Sequence, residues 1–372
     1  MKVLVPDYYK DFKCIAGACE DTCCAGWQVD VDEESFAYYK TIKGAFGERL
    51  RSVMVEGKKG CEGQFRIREN GRCPFLNDDN LCDLYAELGE DALCVTCDQY
   101  PRYTTEFGNY KEVGIALSCK TAAELILRDD RTPGFTESEN DESFTRLNNI
   151  DGELFYALMG ARKKAFEIIW DRSFSISERM AVLLDYGEGL QKLIKKPAQM
   201  GAYIKEYVPS KKSAKRLAPD KEVKRYYSIW KCYMKQVIIK KEWPMLLKAL
   251  HEDVYLKDYE KAAKAFDSGY IRKEYEYENL LNYFVFRYFL KAVMDGDVLT
   301  KVKLAVVSVL IIRQCDIGRW TANEGKLSYE EQVDICHLYS RELEHSEENL
   351  AGICKLLGKK NFFKIEKIKE LI

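Results

Sequence analysis

Histidine is the scarcest of this chain's functional residues. There are three in 372 residues, His251, His337 and His345, and none in the first half. The first half therefore cannot build an imidazole metal site. Charge excess is also absent: Lys+Arg is 58 and Asp+Glu is 60, for a net charge of −2. Nucleic-acid partners select a basic excess, so none is expected. Long apolar runs are missing as well. The longest, Leu304 to Ile312, is broken by Ser308, and a membrane span needs about twenty such residues. The opening MKVLVPDYYKDFK has no apolar signal region and no small-residue cleavage site, so the expectation is a cytoplasmic protein with no membrane partner. A hydrophobic content of 47% excludes wholesale disorder.

What the chain does have is cysteine. Of fourteen, ten fall between Cys14 and Cys119; Cys232, Cys315, Cys336 and Cys354 are scattered. In a reducing compartment a dense set of thiols reads as metal ligands or redox groups, not as a disulfide framework. Taken singly, each would be a small buried hydrophobe. Ten in 119 residues point to thiolate ligation, whereas the four later ones sit in helical apolar patterns and read as core.

The ten form three groups with one outlier. Cys14, Cys19, Cys23 and Cys24 lie in CIAGACEDTCCAGW; Cys73 and Cys82 bracket CPFLNDDNLC; Cys94 and Cys97 precede Tyr100-Pro101-Arg102, with Cys119 further on; Cys61 stands apart. Zinc sites usually show two close ligand pairs, and only Cys94-x2-Cys97 qualifies. The radical-enzyme spacing C-x3-C-x2-C starts at Cys19 and Cys23 but meets Gly26 at its third position. An iron–sulfur cluster held by cysteines from several loops is the remaining reading, with zinc as its alternative. Adjacent Cys23 and Cys24 are poorly placed to ligate one iron, because neighbouring side chains diverge; one of them serves a supporting role or another site.

The texture changes after residue 128. The expectation is a mainly α chain: a small cysteine-rich, metal- or cluster-binding N-terminal domain over residues 1–128 with few short strands, a polar linker at 129–142, and an all-helical domain over 143–372. Strand signals are limited to Gln28–Val31 and Glu112–Leu117. Residues 224–243 and 276–294 are apolar every three or four positions, as amphipathic or nearly buried helices are. Ser328 and Glu331 fit a capping box. The aromatics of 275–289 read as core rather than as a substrate groove. Val182–Gly189 imitates a glycine-rich nucleotide loop, but it follows a helix start instead of a strand, and no strand–helix series accompanies it.

The segments CIAGACEDTCCAGWQVDVD, CPFLNDDNLCDLYAELGEDAL, CDQYPR and LSCKTAAELIL resemble, in this order, those of the flagellin lysine-N-methylase family, within a broader group of cysteine-rich metal-chelating proteins. The resemblance covers residues 8–128. It implies a bacterial enzyme that methylates lysine ε-amines on flagellin or another lysine-bearing protein, with S-adenosylmethionine as methyl donor and a [4Fe–4S] cluster. The positions matching family cysteines are Cys14, Cys19, Cys23, Cys24, Cys73, Cys82, Cys97 and Cys119; Cys61 and Cys94 fall outside that set. The rival class is a non-catalytic metal or iron–sulfur protein that carries electrons.

Lysine methylation sets a chemical demand. A free lysine ammonium, with a pKa of about 10.4, has no lone pair at neutral pH, so a base or a desolvating pocket must release its proton. Glu20, Asp21, Asp98 and Tyr100 are the nearby candidates. Tyr100 and Arg102 rank first as catalytic residues because they flank Pro101, which fixes the local backbone. Arg102 suits the donor's carboxylate, and Trp27 reads as packing.

Overall fold

A computed structural model describes residues 1–27, 29–57, 62–143, 150–210 and 217–372. It is mainly helical, with 63% helix and 10% strand. Gln28 and Cys61 lie outside the described residues, as does the 144–149 start of the expected helical domain.

Two small sheets carry the strands. The first has the order β5-β6-β1-β7, from Lys2–Pro6 (β1), Arg102–Phe107 (β5), Tyr110–Ile115 (β6) and Phe135–Glu139 (β7). β5 and β6 form a hairpin in which Phe107 pairs with Tyr110, and Gly108 takes the positive φ of 65° that so tight a turn requires. β1 runs parallel to β6 and antiparallel to β7. The second sheet, order β2-β4-β3, joins Asp30–Val31 (β2), Met54–Glu56 (β3) and Gly63–Phe65 (β4). Both strand signals of the sequence fall on strands, β2 and β6. The 129–142 segment, expected as a linker, instead supplies β7. Its alternating Thr136, Ser138 and neighbouring glutamates suit an exposed edge, and β1 offers it five paired positions.

The cores do not divide at residue 128 either. One small core holds Val31, Phe36, Tyr39, Leu50, Phe65, Phe75 and Leu84 together with Cys73 and Cys94. The four-stranded sheet belongs to the other, larger core: Tyr8, Phe107, Tyr110, Ile115 and Leu117 pack with the helical residues. A buried ion pair pins this junction. Arg162, on the helix Gly152–Trp170, binds Glu112 of β6 with Nη1 at 2.9 Å, and its Nη1 also donates to the Phe286 carbonyl at 3.2 Å.

The longest helix, Val298–Ala322, contains the Leu304–Ile312 run, every residue of it buried. Its apolar stretch thus faces protein on all sides, and among the described residues no helix is long and apolar enough to cross a membrane. Asp297 caps its start by accepting from the Thr300 amide at 2.9 Å. The glycine-rich imitation at 182–189 lies inside the helix Ile176–Leu193. A Cβ on Gly187 would come within 3.0 Å of Val302 and one on Gly189 within 2.0 Å of the Tyr203 hydroxyl, so these glycines permit close helix packing.

Two helical readings are cut shorter than their periodicity. The 224–243 pattern is helical at Pro219–Tyr233 and again at Glu242–Leu250. Between them the amides of Ile239 and Lys240 donate to the Glu342 carboxylate at 2.9 and 2.8 Å, and Val237 donates to Asn349 at 2.8 Å. Side chains from two other helices, Tyr329–Leu343 and Glu347–Lys359, thus satisfy this backbone. The aromatic segment forms the helix Tyr275–Tyr288, with Tyr277, Tyr283, Phe284, Phe286 and Tyr288 buried as core. Cys315 and Cys336 are buried in the large core, Cys354 packs against it, and Cys232 is buried as well.

Candidate functional site

The cysteines are brought together by loops locked to one another. Ala16, at φ 47°, turns the chain so that its amide donates to the Cys14 thiol at 3.4 Å and its carbonyl accepts from the Cys19 amide at 3.0 Å. The Trp27 indole then donates to the Cys23 carbonyl at 2.6 Å. The Cys73 amide donates to the Cys24 carbonyl, and Gly26 to Gly71, both at 2.8 Å, so the first group is zipped along the second. Asn77 folds the 73–82 loop back. Its side-chain oxygen accepts from Asp79 and Leu81 at 3.0 and 2.9 Å, and Leu76 bridges to Cys82. Cys82, Cys94 and Cys119 each sit at the N-terminal cap of a helix: Asp83–Leu88, Val95–Gln99 and Lys120–Leu127.

These loops enclose a cavity of about 50 Å³ lined by Cys23, Cys24, Cys73, Cys82, Cys94 and Cys97, with Trp27, Tyr39, Phe65, Phe75 and Tyr100 among its walls. Among the described residues, no carboxylate or imidazole lines it. The hydrogen bond from Cys23 holds the Cys24 thiol down to about 7 against the effect of burial, whereas burial pushes Cys73 up to about 12 and Cys119 up to about 11. Among the described residues, no group of three or more histidine, cysteine or carboxylate side chains is drawn in tightly enough to hold a single metal ion.

Helical residues meet the cysteine loops at Asp21. The helix Tyr329–Leu343 starts with the capping box read from the sequence, Ser328 with Glu331. It delivers His337, whose Nε2 lies 2.6 Å from Asp21 Oδ2, and Arg341, 3.5 Å from Asp21 Oδ1 and 3.0 Å from the Ala25 carbonyl. Lys240, carried by the non-helical segment described above, reaches Asp21 Oδ1 at 2.7 Å. Because a carboxylate only accepts, His337 Nε2 must carry hydrogen. In the neutral ring the lone pair then lies on Nδ1, which is buried and without a hydrogen-bond partner among the described residues. His345 packs edge-on against Trp27 and Tyr100, with ring centres 4.5 and 5.5 Å away. Burial, with the charges of Arg341 and Arg287, lowers it to about 4, so it is neutral at pH 7.

Of the eight sequence-assigned cysteines, Cys23, Cys24, Cys73, Cys82 and Cys97 line the cavity, whereas Cys14, Cys19 and Cys119 do not, and Cys14 is exposed. Cys94, which the motif comparison set aside, lines the cavity with those five. Tyr100 forms part of its wall and donates to the Ser118 carbonyl at 2.7 Å; burial pushes its hydroxyl above the ordinary tyrosine value. Arg102 stands elsewhere, its guanidinium 5.3 Å from the Phe12 ring. Glu20 pairs with Lys120 at 3.3 Å. The sequence reading missed the partners of Asp21. His337 is 316 residues away, and no spacing rule connects them. The one available signal was the scarcity of histidine, two of whose three copies are here.

Comparison with known proteins gives a family match on the helical part. Residues 162–371 match the FliB lysine N-methylase C-terminal domain. The chain is 28% identical over 148 residues to the flagellar biosynthetic protein FliU of Salmonella muenchen, covering 39% of this chain and 86% of that protein. It is 27% identical over 139 residues to the lysine-N-methylases of Salmonella choleraesuis and Salmonella typhimurium, covering 36% of this chain and 35% of each. The matched region thus spans about a third of those two relatives. No solved structure matches.

Proposed function

The chain belongs to the FliB lysine N-methylase C-terminal domain family, and from this we propose that it methylates lysine ε-amines of a protein substrate, flagellin. S-adenosylmethionine is the donor in this reading, and a [4Fe–4S] cluster is the resident group. The observation that carries the proposal is the meeting of a thiol-lined cavity and an Asp21–His337 pair at one seam.

The donor set suits the cluster. Among the described residues six thiols face the cavity, with mostly apolar and aromatic walls and the Thr96 side chain, a soft donor set of the kind such clusters use. Its volume is about four times the roughly 10–15 Å³ that one water-sized body needs, which favours a multi-atom group over one zinc ion. When bound, the cluster supplies one-electron chemistry. The proton chemistry falls to this chain. His337, oriented through Nε2 by Asp21, offers the Nδ1 lone pair as the acceptor for the lysine ammonium proton. Neutral His345 adds no positive charge to oppose an incoming ammonium, and its apolar surroundings favour the uncharged amine. Tyr100 stays protonated and, with Trp27, walls the site. Arg102 lies outside the cavity lining, over Phe12, so in this reading it takes the donor's carboxylate only if the donor extends to that position.

The test is incubation of anaerobically purified protein with S-adenosylmethionine and flagellin from the same organism, followed by intact and peptide mass spectrometry. Single-methyl mass increments on flagellin lysines are expected. Unmodified flagellin alongside protein with its full metal content would overturn the methylase reading in favour of a metal or electron carrier.

A further inference from the structure

We propose that a second cavity, inside the helical part, receives a lysine side chain of the protein substrate, with Glu274 taking its ammonium and Phe266, Tyr270 and Tyr277 walling its stem. The inference rests on the reading above only for the lysine-bearing protein that supplies the side chain.

This cavity measures about 240 Å³, against about 50 Å³ for the thiol-lined one. Its walls come from the helices Ile176–Leu193, Tyr259–Tyr270, Tyr275–Tyr288 and Val298–Ala322. Asp21, His337 and the cysteines take no part in its lining. It falls below the roughly 300–1,000 Å³ of pockets that bury a drug-sized ligand, so it suits one side chain better than a nucleoside. Ile271, part of the lining, is 64% exposed, so the mouth reaches the surface.

Charge selects the occupant. Among the described residues, three charged side chains line the cavity: Asp267, Glu274 and Arg313. Arg313 is paired with Asp267, and its guanidinium lies over Phe266, 5.8 Å from the ring centre. Glu274 has no such partner; no described side chain forms an ion pair or hydrogen bond with its carboxylate. The two cations that act on it from a distance, Arg179 and Arg313, are already committed, Arg179 to Glu278 at 2.5 Å and to the Ile169 carbonyl at 2.6 Å. One acidic side chain is thus left over, half-buried, where desolvation pushes its carboxyl up. An entering ammonium supplies the missing counter-charge and charge-assisted hydrogen bonds. The walls suit such a guest. Tyr270 donates its hydroxyl to Glu276, and Tyr277 donates to Asp316 at 2.6 Å. Neither of these carboxylates lines the cavity, so both phenols spend their hydrogen outside it and keep oxygen lone pairs as acceptors. Their rings, with Phe266, add attraction for a cation placed over a face. Aliphatic neighbours such as Met180 and Leu310 cover an apolar stem. A compact ammonium on a flexible four-carbon stem has this distribution of charge and apolar surface.

The experiment titrates the full chain with Nα-acetyl-lysine methylamide and with its Nε-acetylated counterpart, which keeps the stem and loses the charge. Methyl-labelled protein reads binding and its location by NMR through Met180, Ile271 and Leu310, with no methyl donor present. The charged probe is expected to shift these methyls, and the neutral one to bind about tenfold or more weakly. Glu274→Gln should weaken the charged probe about tenfold, the loss of one charge-assisted bond. Glu274→Lys, which brings its own ammonium, should abolish binding. The Glu274 carboxylate has no partner to lose, so both variants should keep wild-type circular dichroism. Equal affinity for the two probes at these methyls, or unchanged affinity in Glu274→Gln, would overturn the proposal. Shifts that spare these methyls would do the same. Methylated flagellin without Glu274-dependent binding sinks this inference alone, whereas probe binding without methylation sinks the methylase reading alone.

Discussion

Asp21 shows how one residue can join two parts of a protein. Burial alone would raise its carboxyl; the His337 hydrogen bond, the Arg341 charge and Lys240 outweigh this and hold it well below the ordinary range. A carboxyl depressed in the folded state contributes stability above its unfolded pKa of about 3.9 and loses it as pH falls towards the folded value. Asp21→Asn should therefore lower the unfolding free energy at pH 7 by about 1–2 kcal/mol, a modest figure because the side chain is 33% exposed. The gap from wild type should narrow below about pH 4. Denaturant titrations at pH 7 and pH 3 check this, and an equal gap at both would show that the lost charge is not the cause. Arg102→Lys keeps charge but loses the planar fork. If Arg102 holds the donor's carboxylate, KM for the donor rises several-fold with kcat little changed; an unaltered KM leaves Arg102 as packing on Phe12. At this scale the cysteines were legible because their density is local. The Asp21 partners were not, since only tertiary folding makes them neighbours.

Elements position these residues, and their ends matter as much as their faces. The helix that bears His337 and Arg341 begins at the Ser328–Glu331 box, so Ser328→Ala should cost about 1 kcal/mol, read as a lowered Tm. Faster amide exchange in the first turn should accompany it. The Glu112–Arg162 pair couples β6 to the helix Gly152–Trp170 with both side chains nearly inaccessible. Glu112→Gln leaves a buried cation without its counter-charge and should cost about 3–5 kcal/mol, much of it regained in Glu112→Gln/Arg162→Met. Denaturant midpoints of the three proteins decide the matter. Helix periodicity was readable over 276–288 because nothing interrupts that backbone until the 3-10 turn at Phe289–Lys291. The break after Tyr233 was not, because Glu342 and Asn349 create it from a distance. The β7 strand was hidden for a related reason: polar residues look like a linker until an edge is there to receive them.

At the scale of the whole molecule, the small cysteine core and the large helical core differ in self-sufficiency. The former is a handful of aromatic and aliphatic side chains around thiols, a size at which a metal, when bound, would supply much of the folding free energy. Chelation or air oxidation should open residues 29–97 to limited proteolysis while the Val298–Ala322 helix stays protected; equal protection with and without metal would show a core that stands alone. The two parts also explain why family signals arose in different places. The cysteine spacing is dense enough to read by eye, whereas the 162–371 match rests on dispersed helical positions with no local motif. The Asp21–His337 contact has a consequence for biosynthesis. Asp21 leaves the ribosome 316 residues before its partner, and at roughly 5–20 residues per second that interval is roughly 15–60 seconds. For the part of it that follows Cys119, the N-terminal thiols have all been synthesised while the helix that bears His337 has not, which leaves a window in which a metal group would find them uncovered during translation.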